Sequence, residues 1–149
     1  MVDYVLRLWI GLILSLAAVT LHAGDLVIAV NPRSTLSSLS EGLLRDIYLR
    51  KRIVLNGIRL LPINLPPRHP MRKCFEEKIL HRQRGEIERA WMRAHYRGIR
   101  PPKVVPSQES AARYVMRLSN ALAYMDQDVA DAFGLKILFR VSQRSLTCE

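Results

Sequence analysis

The sequence predicts an α/β fold with a mixed sheet flanked by helices, and three observations predict it. Short apolar, β-branched runs, beginning with Leu26-Val-Ile-Ala-Val30, alternate with segments whose apolar residues recur every three or four positions. Proline, glycine and Asn-Gly breaks separate the two kinds of segment. The chain that remains after a secretory leader, residues 24–149, suits one domain with its own core.

Residues 1–23 read as that leader. Arg7 gives a basic start, Leu8 to Leu21 carries no charge, and His22-Ala23 leads into the polar pair Gly24-Asp25. The uncharged run is shorter than the roughly 20 residues needed to span a bilayer as a helix. Cleavage after Ala23 and export are therefore expected, with membrane attachment only through an uncleaved leader. The formal net charge is +10, and the leader holds Asp3 as well as Arg7, so its removal leaves that charge unchanged. Such an excess favours anionic partners in general without choosing among phosphate-like ligands, nucleic acid and acidic lipid.

The first expected strand, Asp25 to Val30, closes at the turn Asn31-Pro32. Ser40 then stands as an N-cap, Glu41 suits the positive helix start, and Leu39 with Leu44 forms a hydrophobic staple. The helix runs to about Leu49, with Leu43, Leu44, Ile47 and Tyr48 on its apolar face and Arg50-Lys51-Arg52 at its end. Asn56-Gly57 predicts a tight hairpin between Ile53–Leu55 and Ile58–Leu65, with the second strand at Leu60 to Asn64. Pro66-Pro67 stops the ladder, and Pro70 suits the first turn of a helix from about Met71 to Leu80. Met71, Phe75 and Ile79 are placed inward there, and Arg72, Lys73, Glu76 and Glu77 in water.

Gly85 reads as a break before a helical stripe of Ile87, Trp91 and Ala94 that ends at Gly98. Arg100-Pro101-Pro102 reads as a stiff connector. Ser107 caps a further helix with Ala111, Val115 and Leu118 on one side. A buried strand at Ala121 to Met125, a helical turn from Asp128 to Phe133 and a last strand at Leu135 to Val141 complete the domain, residues 24–141. Ser142 to Glu149 reads as a flexible tail.

No Gly-x-Ser-x-Gly elbow, His-Glu-x-x-His helix or phosphate-cradling glycine loop occurs, and His69, His81 and His95 are scattered. No catalytic activity and no cofactor are expected. Two cysteines, Cys74 and Cys148, are too few for a zinc site; in an oxidising compartment they form either one disulfide or two free thiols. The informative stretch is Pro66-Pro-Arg-His-Pro-Met-Arg72, which gathers Arg68, His69 and Arg72 at an expected helix start. A helix N-terminus and arginine forks suit an anion; the competing reading is a solvated arginine-rich surface. Arg82, Arg84, Arg89, Arg93, Arg97 and Arg100 raise the question of nucleic acid or lipid, but Trp91 falls on the apolar stripe rather than on an exposed stacking face. A nucleic-acid partner is therefore not expected.

The ordered motifs resemble the short periplasmic PstS-like substrate-binding proteins of phosphate ABC transporters, over about residues 26–139. Val30-Asn-Pro32, Leu39-Ser-Glu-Gly-Leu-Leu-Arg-Asp-Ile-Tyr-Leu49 and Asn56-Gly57 with Leu61-Pro-Ile-Asn64 are similar to the family's first strand, first helix and next strand. Met71-Arg72-x-x-Phe75 with Ile79-Leu80, Ala90-Trp91, Tyr96-Arg-Gly98, Pro101-Pro102 and Val115 to Tyr124 follow in the family's order. The resemblance implies a single lobe of a type-2 periplasmic-binding-protein-like fold. It also implies weak binding of phosphate or a similar small anion, as part of or accessory to ABC-type uptake, with an ABC permease or another envelope protein as partner. Arg68 keeps the place of the family's anion-binding arginine, and His69-Pro70-Met71 stands where the family has Ser-Gly-Thr, so that Arg68, His69, Met71 and Arg72 form the implied site. The alternative is an envelope adapter or sensor domain that uses the fold for protein contact.

Overall fold

The computed structural model describes residues 25–141. The expected leader and its cut after Ala23, and the expected tail at residues 142–149, lie outside the described residues.

A five-stranded sheet of order β5-β4-β6-β1-β7 carries the core. Strand β1 (Leu26–Val30) is buried at every position. Successive side chains of a strand point to opposite faces, so complete burial means that both faces of the sheet are covered there. Strand β1 runs antiparallel to β6 (Ala121–Asp126), pairing Leu26 with Asp126 and Val30 with Leu122. On its other side it runs antiparallel to β7 (Lys136–Val141), with an irregularity between Ile28 and Ala29. Strand β4 (Leu61–Asn64) is parallel to β6 and to the two-residue β5 (Lys103–Val104), which makes the sheet mixed, as expected.

Local chemistry explains the helices. Ser40 Oγ accepts from Leu43 N at 3.2 Å and starts α1 (Glu41–Tyr48), which buries Leu44, Ile47 and Tyr48. Ser107 Oγ accepts from Ser110 N at 3.2 Å and starts α4 (Gln108–Arg117). Between them lie α2 (Pro70–Lys78) and α3 (Arg84–His95), and α5 (Gln127–Ala132) precedes β7. The hairpin of β2 (Val54–Leu55) and β3 (Ile58–Arg59) turns at Asn56 and Gly57, whose φ values of 49° and 77° are those a tight two-residue turn demands. Asn31 does more than end β1. Its side-chain nitrogen donates to the carbonyls of Val115 and Met116 at 3.0 and 2.8 Å, satisfying the end of α4.

Four readings need correction. Strand β5 occupies a stretch read as connector, because two residues after Pro101-Pro102 give no periodic signal. Helix α3 begins at Arg84, so Gly85 lies inside its first turn; a reciprocal capping box between Gln83 and Glu86 sets the start instead. Leu118 is exposed, since the backbone is already extended at this C-cap residue. Glu76 and Arg72, expected in water, are drawn into the structure in the way described next.

Candidate functional site at the junction of β4 and α2

Strand β4 ends at Asn64, and the chain crosses Leu65 and a proline turn before α2. His69 N donates to Pro66 O at 2.9 Å, which closes that turn and sets Arg68 at its exposed tip. The junction lies beyond the carboxyl ends of the parallel strands β4 and β6, the edge where open α/β sheets hold ligands. The sequence therefore places Arg68, His69, Met71 and Arg72 together at one helix start, and their roles differ.

His69 Nδ1 accepts from Met71 N at 3.2 Å, so the imidazole is the N-cap of α2. Arg72 N and Lys73 N both donate to His69 O, at 3.0 and 3.2 Å, and Pro70 has no N–H. The first turn thus spends its donors internally. An anion at this mouth meets the helix dipole and the edge of His69 rather than bare N–H groups. Met71 is half-buried and packs against the core.

Arg72 is tied inward. Its Nε meets Glu76 Oε1 at 2.7 Å and its Nη1 donates to Leu65 O at 2.9 Å, while its side chain is only 12% exposed. Arg84 Nη2 reaches the other Glu76 oxygen at 3.3 Å. Two guanidinium groups on both carboxylate oxygens explain why Glu76, expected in water, is 3% exposed: a buried charge needs a partner for each lone-pair direction. Arg72 therefore pins the loop after β4 to α2, and Arg68 is the exposed guanidinium of the four-residue set.

Beneath the turn lies a buried polar network that the sequence reading missed. Asn64 Oδ1 accepts from Leu65 N at 3.1 Å and from the Tyr124 hydroxyl. Tyr124 Oη also accepts from Leu65 N at 3.1 Å, and Tyr48 Oη donates to Ile63 O at 3.1 Å. The rings of Phe75 and Tyr124 stack at 4.1 Å, and Tyr48 meets Phe75 edge-on at 4.6 Å. Burial raises the pKa of both phenols well above its ordinary value. The available signal was an asparagine ending a buried strand and a tyrosine inside another; buried polar groups of this kind seek each other.

Carboxylates share this edge. Glu109 lies in the first turn of α4, where its own N–H, the Ser107 hydroxyl and the Arg113 charge hold its pKa below the ordinary value. Asp126, at the end of β6, is clamped by Gln108, which donates to Oδ2 at 2.8 Å and accepts from Asp126 N at 2.6 Å. The edge is consequently mixed in charge rather than uniformly cationic. Among the described residues no group of three His, Cys, Asp or Glu side chains suits a metal ion. Cys74 is buried on α2, and the sequence's other cysteine, Cys148, lies outside the described residues. His81 faces Glu41, and His95 lies exposed in the last turn of α3, so neither joins the junction.

A mixed five-stranded sheet flanked by helices, with a strand-to-helix crossover at the ends of its parallel strands, is a single lobe of the type-2 periplasmic-binding-protein-like fold. Solved structures share this fold. The chain is similar to a protein of Clostridium perfringens assigned as a phosphate ABC transporter substrate-binding protein and solved with bound phosphate, at TM-score 0.63 and 15% identity, covering 78% of this chain and 45% of that one. It is similar to an ABC-type phosphate transport receptor of Vibrio cholerae, at TM-score 0.61 and 20% identity, covering 82% of this chain and 50% of that one. It is also similar to PstS of Borrelia burgdorferi, at TM-score 0.58 and 15% identity, covering 78% and 47%. The chain thus spans about half the length of the solved structures it matches. No protein-family model and no curated protein matches it. Among the described residues no helix is long and apolar enough to cross a membrane.

Proposed function

We propose that this chain is a periplasmic substrate-binding protein that takes phosphate or a similar small anion weakly at the junction of β4 and α2, within or beside ABC-type uptake. One observation carries the reading. Its fold is shared with structures assigned to phosphate transport, one of them phosphate-bound, and its exposed Arg68 stands at a helix start beyond the parallel strand ends. Arg68 supplies the fork for two anion oxygens, His69 and the helix dipole supply weaker attraction, and Arg72 positions the turn. The described lobe reaches the anion from one side, and contacts from that side alone gain little from desolvation, so the affinity they supply is low.

Isothermal titration of the protein with phosphate and with sulfate tests this. Saturable heat is expected, and Arg68→Ala should weaken binding by roughly tenfold or more, in keeping with loss of a charge-assisted fork. Silence at millimolar ligand overturns the reading.

A second reading has its own support. The first turn of α2 spends its N–H donors on His69, and the same edge carries Glu109 and Asp126, an arrangement that suits a protein surface better than an anion. An envelope adapter or sensor domain follows from it. Silence in the titration together with co-purification of an envelope protein, lost on Arg68→Glu, would favour that reading.

A further inference from the structure

A second cationic feature lies away from the junction. Helix α3 and the chain after α1 enclose a groove of about 570 Å³, within the size range of small-molecule sites. Arg50, Lys51, Arg82, Arg89, Arg93 and Arg97 line it. Arg89, Arg93 and Arg97 recur every four residues and so form one row along α3 and its C-terminal extension. Glu86 is the acidic group in the lining, and its carboxylate is already turned to Gln83 N at 3.2 Å. Ile87, Trp91 and Ile99 give the groove an apolar wall.

Arg50 separates this groove from an ordinary solvated face. Its φ of 59° is that of the left-handed residue ending α1, where Arg50 N donates to Ile47 O at 3.0 Å and Lys51 N to Asp46 O at 2.8 Å, and this turn fixes where its side chain starts. Its Nε is buried without a hydrogen-bond partner. Burial, and then the charge of Arg59, lower its pKa. A guanidinium pressed against the protein, short of a partner and surrounded by like charge is costly unless an anion completes it.

We propose that the groove between α3 and the Arg50 loop is a binding site for a ligand bearing clustered phosphate groups. Six cationic side chains match several phosphates better than one, and the row on α3 spaces successive guanidinium groups by about one helical turn, roughly 6 Å. The apolar wall accommodates the uncharged part of such a ligand, with Trp91 at its edge. The same chemistry is presented by a soluble polyphosphate and by the headgroups of an anionic bilayer.

The test uses the full chain carrying Trp9→Phe, so that Trp91 is the sole tryptophan reporter. One arm titrates inorganic tripolyphosphate and follows Trp91 emission; the other co-sediments the protein with phosphatidylglycerol–phosphatidylcholine vesicles. Binding in at least one arm is expected, and the arm names the source. Arg89→Glu with Arg93→Glu should weaken it by at least roughly tenfold, since both charges face the ligand. Arg33→Glu with Arg140→Glu changes the net charge equally on exposed positions outside the groove and should leave most of the binding intact. Arg68→Ala should leave groove binding in place, which separates this site from the junction. Silence in both arms, equal loss in the two double variants, or tighter binding of short single-stranded DNA than of tripolyphosphate would overturn the proposal.

Discussion

Single residues at the junction divide into those that hold it and those left to act. Tyr124 belongs to the first group. Its hydroxyl joins Asn64 to Leu65 N beneath the turn that presents Arg68. Tyr124→Phe keeps the ring stack on Phe75 and removes only that oxygen; Leu65 N and Asn64 Oδ1 still pair with each other, so the expected cost is that of a lost hydrogen bond, about 0.5–1.5 kcal/mol. A urea midpoint lowered at unchanged slope measures it. The same burial makes an alkaline prediction. Folded Tyr48 and Tyr124 hold their protons above the pH at which an exposed phenol, near pKa ~10, loses its own. The unfolded chain then releases protons first, so the stabilisation present below about pH 10 is lost as pH rises toward the folded values. Tyr48→Phe with Tyr124→Phe should flatten that decline relative to the parent chain between neutral and strongly alkaline pH. Parallel curves would refute a role for the two phenols.

At the scale of elements, what could be read depended on whether the cause was local. Ser40, Ser107 and Asn56-Gly57 act within three or four residues of themselves, so caps and hairpin lay open in the sequence and stand where expected. Strand β1 was legible for a different reason, since a short β-branched apolar run closed by Asn31-Pro32 suits a strand covered on both faces. Strand β5 was not, because its two residues exist through pairing with Ile63 and Asn64 of β4. Helix α2 shows the limit best. Periodicity correctly put Phe75 and Ile79 inside, but Glu76 is buried by Arg72 on its own helix and Arg84 on the next, and a contact between elements leaves no trace in spacing. Glu76→Ala should therefore cost about 3–5 kcal/mol, because it strands the Arg72 guanidinium. The adjacent Glu77→Ala, on an exposed position, should stay within about 0.5 kcal/mol. Equal thermal shifts for the two would show that the Arg72–Glu76–Arg84 cluster does not fasten α2.

Over the whole molecule, the described residues build one lobe, and the edge beyond its parallel strands keeps its register through the contacts that hold α2. The order of motifs in the sequence carried the lobe itself, while the pairing of its charges emerged only from folding: Arg72 paired with Glu76 at the junction, Arg50 Nε buried without a hydrogen-bond partner beside the groove. Stability of the edge then depends on how α2 is held. Cys74 sits buried on α2, and no cysteine among the described residues is free. Cys148 follows the end of β7 at Val141 by seven residues, a reach of up to roughly 23 Å when extended. A disulfide between them would join α2 to the chain after the edge strand β7, closing the long loop from Cys74 to Cys148 and stabilising the fold by about 2–5 kcal/mol. Protein recovered from an oxidising compartment should have a mass lower by two hydrogens than the reduced chain, resist thiol alkylation until reduced, and melt at a lower temperature after reduction. Cys148→Ser should melt like the reduced protein. Rapid alkylation of both cysteines in the native protein, or a melting temperature indifferent to reductant, would exclude the tie and leave α2 held by Glu76 and the aromatic stack.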